Sequence, residues 1–290
     1  MQQRPVNWMD NPNAERVKRV AQLAGRSAIR KRRKQFLAEG PQSASEAIRA
    51  HLGMLSLSTS AAQLWPAGGT IAEVYYTERL VSTEPELHKL IGQLPDKVFV
   101  AETSGQVLQA MSDAVVHQNI IVVVNLPAPV SPPAADAHLV AGLIRVQDPG
   151  NAGTIIRTAD AAGADYIVAT AQTVDIYNPK TVRSTAGSLF HIPVYTHVNL
   201  ESFLSNFDGQ VFAADGYGDL VLDQMSTTVL SESTAWLFGN EARGLSPDEL
   251  SVAHRRVAVP LYGLAESLNV STAATICLYS SAMAQRQARA

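Results

Sequence analysis

The sequence has one cysteine in 290 residues, Cys277, so no internal disulfide is available and a reducing compartment is the expectation. No stretch approaches the roughly 20 consecutive apolar residues that a membrane-spanning helix needs. The opening MQQRPVNWMDNPNAE has no apolar core of the signal-peptide kind. The chain is therefore expected to be cytoplasmic, with no membrane partner. Walker, HExxH and GxSxG patterns are missing, and Gly216-Tyr217-Gly218 lacks the third glycine of a dinucleotide loop. The seven histidines show no ligand spacing, so no metal site is expected. Cys277 itself falls in an apolar run, where a thiol is packing rather than a nucleophile.

At 290 residues and 46% hydrophobic composition, the chain exceeds the roughly 100–200 residues of one domain, so two are expected. The formal net charge of −3 conceals an asymmetry. Residues 14–49 hold ten Lys or Arg against three Glu, and the remainder is strongly acidic. The run Arg30-Lys31-Arg32-Arg33-Lys34 reads either as a solvated helix face or as the footprint of a polyanion partner; the second is favoured, with phosphates as the expected ligand.

Along the chain, residues 1–13 read as a loose tail. Ala14 to Ala24 and Ala28 to Ala38 have helical composition, broken at Gly25, and Glu39-Gly40-Pro41 is a stop before a short helix, Ser43 to Leu52. Strand-like runs at Ile71 to Tyr76, Lys97 to Ala101 and Ile120 to Val124 alternate with helical ones, which predicts a small α/β domain over 14–124. Residues 125–137, NLPAPVSPPAADA, carry four prolines and read as a stiff linker. Beyond it, over 138–290, strands are expected at Ala141 to Val146, Tyr166 to Ala169, Val211 to Ala214, Ala235 to Phe238 and Val257 to Val259, with helices between the first three and after the last. These include Ala152 to Ala162, Pro179 to Leu189, and a last one starting at Asn269 or Ser271. Such alternation predicts a parallel sheet whose ligand crevice lies beyond the C-terminal strand ends.

Three constellations fall at those ends. Asp148-Pro149-Gly150-Asn151-Ala152-Gly153 follows a strand and opens a helix carrying Arg157; read as lying one turn in, this arginine would share the direction of the free N–H groups and suit a phosphate. Phe238-Gly239-Asn240-Glu241-Ala242-Arg243-Gly244 follows another strand and is either a plain glycine turn or a ligand loop. Val257 to Tyr279 runs strand, Pro260, loop and helix, with Ser267, Asn269, Ser271 and Thr272 gathered where a helix start leaves backbone donors unpaired. An N-cap cluster is the plainer reading of that junction.

In this order and spacing, DPGNAGTIIRTADAAG, LFGNEARGL and VPLYGLAESLNVSTAA closely resemble the three motifs of the SpoU/TrmH family of S-adenosylmethionine-dependent RNA ribose 2′-O-methyltransferases, over about residues 140–285. FLAEGPQSASEAI is similar, more loosely, to the L30e-like substrate-binding domain of ribosomal RNA members. The resemblance implies an α/β fold with a deep trefoil knot in its C-terminal domain and a homodimer packed through that region. It places the family's motif residues on Asn151, Arg157, Glu241, Ser267 and Asn269, and methyl-donor contacts, largely through backbone, on Gly239, Val259 and Leu268. The donor would be S-adenosylmethionine, no metal is called for, and the acceptor would be 23S ribosomal RNA. Transfer RNA is the rival substrate, and a non-catalytic RNA-binding protein the rival class.

Overall fold

The computed structural model describes residues 7–133 and 137–289 and divides into two compact units. The first gathers the chain up to Ala128 together with Tyr177–His191; the second comprises Pro129–Ile176 and the chain from Ile192 onward.

The first unit runs β1 (Asn7–Met9), α1 (Glu15–Gly25), α2 (Ser27–Arg33), β2 (Gln35–Glu39), α3 (Pro41–His51), α4 (Thr59–Leu64), β3 (Ile71–Tyr76), α5 (Glu78–Thr83), α6 (Pro85–Ile91), β4 (Phe99–Thr103), α7 (Gly105–Met111) and β5 (Ile120–Asn125). Its five strands lie in the order β1-β4-β3-β5-β2. β1 and β3 run parallel to β4, while β2 and β3 are antiparallel to β5. Val17, Val20 and Leu23 of α1 and Val107, Leu108 and Met111 of α7 pack with Leu37, Tyr75, Ile121 and Val123 of the sheet. The apolar spacing of α1 thus becomes one core layer.

Three expectations fail here. Residues 7–9 of the supposed loose tail form β1, held by the Asn7 side-chain amide donating to Val100 O at 2.9 Å and by Ser104 N donating to Met9 O at 3.0 Å. Residues 1–6 of that tail, like 134–136 of the linker, lie outside the described residues. The helix expected over Ala28 to Ala38 ends at Arg33: Lys34 takes a left-handed φ of 53°, and Gln35–Glu39 pair with β5 instead. Phe36, Leu37 and Ala38 are fully buried, and such a run of apolar residues carries no period to separate strand from helix. Asn125, the first residue of the expected linker, is the last of β5.

The second half of the chain runs β6 (Leu139–Leu143), α8 (Pro149–Ala162), β7 (Tyr166–Thr170), α9 (Pro179–Ser184), β8 (Val194–Val198), α10 (Leu200–Leu204), β9 (Gln210–Ala214), β10 (Leu220–Val221), α11 (Thr227–Ser231), β11 (Thr234–Phe238), α12 (Pro247–Ser251), β12 (Arg255–Ala258) and α13 (Val270–Arg289). The helix expected to reach Leu189 stops at Ser184, because Ala186 and Gly187 have φ of 50° and 99° before a 3-10 turn at Ser188–Phe190. A Cβ at Gly187 would come within 2.7 Å of the Glu46 side chain, so glycine permits that close approach. α9 and this turn belong to the first unit, where Trp65 Nε1 donates to Leu189 O at 3.0 Å and Arg183 pairs with Glu39 and Asp113, each at 2.6 Å.

The second unit's seven strands lie in the order β10-β12-β9-β11-β6-β7-β8, and every pairing is parallel. β6 and β11 are buried along their whole length, as parallel strands covered on both faces must be. α13 closes one face: Trp236 Nε1 donates to Ser281 Oγ at 2.9 Å, and Gln285 ties His138 O and Glu232 O. Cys277 is fully buried there, and burial pushes its thiol up to about 12, which makes it a packing residue.

Candidate active site

In an all-parallel sheet every C-terminal strand end opens on the same side, and three adjacent strands, β12, β9 and β11, are followed there by irregular loops. Next to them, β6 leads into α8. Asp148 caps that helix, accepting from Asn151 N at 2.8 Å, and Pro149 occupies its first turn. Asn151 is thereby fixed at the helix mouth.

After β11 the chain closes on itself. Asn240 N donates to Gly244 O at 3.1 Å and Gly244 N returns to Asn240 O at 2.8 Å, while Asn240 Oδ1 accepts from Ala242 N and Arg243 N, each at 3.1 Å. Gly244 has φ of 62°, and a Cβ on buried Gly239 would lie 2.5 Å from Gly244 C, so this loop closes only over glycine.

Closure directs Glu241 to α8. Its carboxylate accepts from Gln147 N and Asp148 N, both at 3.0 Å, and from Asn151 Nδ2 at 3.2 Å. Burial opposes its ionisation, but the backbone donors of Gln147, Asp148 and Glu241 itself, with the Asn151 amide, outweigh burial and hold its pKa below the usual value. Asn151 Oδ1 then accepts from Asn269 Nδ2 at 3.0 Å, and Asn269 Oδ1 accepts from Ser271 N at 2.8 Å and Ser271 Oγ at 2.7 Å. One line of hydrogen bonds, Glu241 to Asn151 to Asn269 to Ser271, joins the three constellations. A side-chain amide at 151 suits it, because that residue donates to a carboxylate on one side and accepts from an amide on the other.

Other residues named from the sequence stand apart from this line. α8 begins at Pro149, so Arg157 is its ninth residue, in the third turn rather than one turn in, beyond the unpaired N–H groups of the helix start. Its side chain is exposed and makes no hydrogen bond or ion pair with the described residues. Ser267 is exposed at the end of the loop that follows β12; Leu268 is half-buried, and so is Val259, which lies one residue beyond that strand. Leu261 to Glu266 are all exposed, with Tyr262 donating to Asp223 Oδ2 at 2.8 Å.

Half-buried Val259 and Leu268 beside the strand ends suit a nucleoside-bearing methyl donor, whereas the N–H groups of Asn240, Ala242, Arg243 and Gly244 are engaged in closing the loop. Among the described residues no three His, Cys, Asp or Glu gather as a metal would require.

The basic run is corrected at one position. Arg30 is 3% exposed and donates to Leu23 O at 2.7 Å and Ala24 O at 3.3 Å, so it ties α2 to the end of α1 and offers nothing to a phosphate. Lys31, Arg32, Arg33 and Lys34 are exposed. Gln147, Arg145 and Glu249 were missed; the one local signal was Ser246-Pro247-Asp248-Glu249, whose spacing forms a capping box at α12.

Residues 138–279 match the model of the SpoU rRNA Methylase family. The chain is 39% identical over 178 residues to the 23S rRNA (guanosine(2553)-2′-O)-methyltransferase RlmP of Bacillus subtilis, covering 61% of this chain and 69% of that protein. A 23S rRNA (uridine(2479)-2′-O)-methyltransferase of Streptomyces viridochromogenes is 34% identical over 143 residues, covering 47% of this chain and 49% of that protein. Among solved structures, the AdoMet-bound rRNA methyltransferase from Sinorhizobium meliloti superposes with a TM-score of 0.74 at 27% identity, covering 95% of this chain and 97% of that one.

Proposed function

The chain belongs to the SpoU rRNA methylase family, and from that membership we propose that it methylates a ribose 2′-hydroxyl of large-subunit ribosomal RNA, with S-adenosylmethionine as methyl donor. The observation that carries this reading is the hydrogen-bonded line from Glu241 through Asn151 to Asn269, which ties the three motif segments together at one end of the parallel sheet.

When bound, S-adenosylmethionine supplies an electrophilic sulfonium methyl to the 2′-oxygen and leaves as a neutral thioether. Gly239, Val259 and Leu268 hold the donor, mainly through backbone and shape. Glu241, Asn151 and Asn269 act as organisers: with their donors and acceptors engaged, they fix the loops so that hydroxyl and methyl meet at about 3–3.5 Å. Arg157, exposed and unpaired among the described residues, is free to grip the phosphate next to the target ribose and to stabilise charge growing on the 2′-oxygen. A guanidinium stays protonated and does not accept the proton, which passes to water late in the reaction, directly or by way of the phosphate. Ser267 adds a hydroxyl for ribose or phosphate. Lys31, Arg32, Arg33 and Lys34 supply sequence-independent attraction to RNA.

A homodimer through the C-terminal domain is part of this reading, supported by Ile276, Tyr279 and Met283, which leave an apolar stripe exposed at helical spacing on α13. So is a knotted passage of the C-terminal segment. Among the described residues no helix is long and apolar enough to cross a membrane. The deciding experiment maps 2′-O-methylated nucleotides in ribosomal and transfer RNA from cells with and without this protein. Loss of one 23S site is expected. Loss of a transfer RNA site moves the substrate, and no loss, with no affinity for S-adenosylmethionine, makes the protein a non-catalytic RNA binder.

A further inference from the structure

The loop between Asn240 and Gly244 is held from outside as well as from within, and its two end residues are both held by one residue that none of the three motifs contains. Arg145, two residues beyond β6, has φ of 57°, a left-handed conformation that a side-chain-bearing residue adopts only at a cost. Its neighbours fix it there. Its N–H donates to Thr170 Oγ1 at 3.1 Å, and its carbonyl accepts from Asn240 Nδ2 at 3.1 Å. Its guanidinium forks onto Glu249, with Nε to Oε1 at 2.7 Å and an NH2 group to Oε2 at 2.6 Å, and the same NH2 reaches Gly244 O at 3.2 Å.

Arg145 therefore grips the first residue of the loop with its backbone and the last with its side chain. Glu249 completes the brace: it also accepts from Ser246 N at 2.7 Å, so the guanidinium is anchored to the start of α12, immediately after the loop. Both side chains are mostly buried, 22% and 17% exposed, which shields the pair from solvent screening. Hydrogen bonding to Glu249 raises the guanidinium pKa, and the contacts with Arg145 and Ser246 lower that of Glu249 against its burial. The geometry is bidentate, which an ammonium cannot reproduce.

We propose that Arg145 and Glu249 are a positioning pair that sets the affinity for the methyl donor, by holding the Asn240–Gly244 loop closed from both ends. The pair touches neither RNA nor the reacting atoms. This inference rests on the reading that the loop after β11 holds the donor.

Three variants test it: Arg145→Gln, Arg145→Lys and Glu249→Gln, with the Arg145→Gln and Glu249→Gln double variant. Donor affinity is measured by calorimetry with S-adenosylmethionine, RNA affinity by filter binding of unmethylated ribosomal RNA, and rate at saturating donor. Each glutamine variant is expected to weaken donor binding and raise its KM about tenfold or more, with RNA affinity and kcat within about threefold of wild type. The double variant should lose little beyond the worse single one, as partners in one contact do. Arg145→Lys should fall between wild type and Arg145→Gln, and it serves as the test variant if the glutamine form does not fold. Wild-type donor affinity in folded variants, or a loss confined to kcat, overturns the proposal. Hydrogen exchange separates this from failure of the underlying reading: if S-adenosylmethionine does not protect the amides of residues 240–245 in the wild type, the donor lies elsewhere. If it does protect them and Arg145→Gln still binds normally, the positioning pair is wrong and the donor loop stands.

Discussion

Arg183 in the first compact unit and Arg157 in the second are used in opposite ways, although the second also holds a paired arginine, Arg145 on Glu249. In the first, Arg16 and Arg19 converge on Glu73, Arg30 caps the end of α1, and Arg183 bridges Glu39 and Asp113. In the second, Arg157 projects from α8 with no partner among the described residues. The difference follows from where carboxylates are buried. The side chains of Glu39 and Glu73 are 0% and 8% exposed, and a carboxylate withdrawn from water must be neutralised or paired. The stripe of α8 that carries Arg157 and Thr154 faces solvent instead. A count of charges along the chain therefore overstates what the first unit offers to RNA, because Arg16, Arg19, Arg30 and Arg183 are engaged internally.

The comparison breaks most visibly at Arg183. Arg183→Met strands the Glu39 carboxylate in a buried site and should cost about 3–5 kcal/mol of stability by denaturant titration; a loss under about 1 kcal/mol would mean that this arginine is not needed internally. Arg157→Ala should do the reverse, leaving the melting temperature unchanged while methyl transfer slows at least ~10²-fold. Arg157→Lys should restore little, since the charge returns without the planar fork. A full-rate Arg157→Ala would reduce this side chain to surface decoration.

Replacing Lys31, Arg32, Arg33 and Lys34 with glutamine should flatten the salt dependence of RNA binding by about 0.7–0.9 per lost phosphate contact, with donor affinity constant. Arg30→Gln should instead lower stability, because it removes a buried tie between helices. An unchanged salt slope in the fourfold variant would make the run a solvated face.

The smallest effect concerns acid. The folded pKa of Glu241 is depressed, so its contribution is present above the unfolded value near 4.5 and is lost as pH falls through the folded one. Stability curves of wild type and Glu241→Gln should therefore converge on acidification below about pH 4.5. Parallel curves would show that the carboxylate is not held by the Gln147 and Asp148 amides.

What the sequence made legible has a physical pattern. β6, α8, β11 and the start of α13 announced themselves by an apolar run or a cap next to glycine or proline, all of them local signals. Asn151, Glu241 and Asn269 were singled out by the resemblance of their motifs to the family's, since each motif alone also reads as a turn or a cap. β2 was read as helix because Phe36, Leu37 and Ala38 are buried on both faces, and β1 went unseen because three residues carry no period. The grouping of Tyr177–His191 with the first unit depends on partners such as Glu39, Glu46 and Trp65, more than a hundred residues away. Arg145 and Glu249 are 104 residues apart, and nothing local to either announces the other.

The most direct measurement of the account uses two otherwise identical ribosomal RNA fragments, one with a 2′-deoxy substitution at the mapped target nucleotide, and follows transfer of a labelled methyl from S-adenosylmethionine. Binding should match between the two within about twofold, since phosphate contacts dominate affinity, and only the ribose form should become labelled. Methyl transfer to the deoxy fragment would place the acceptor on the base and contradict the ribose 2′-hydroxyl chemistry assigned to this site.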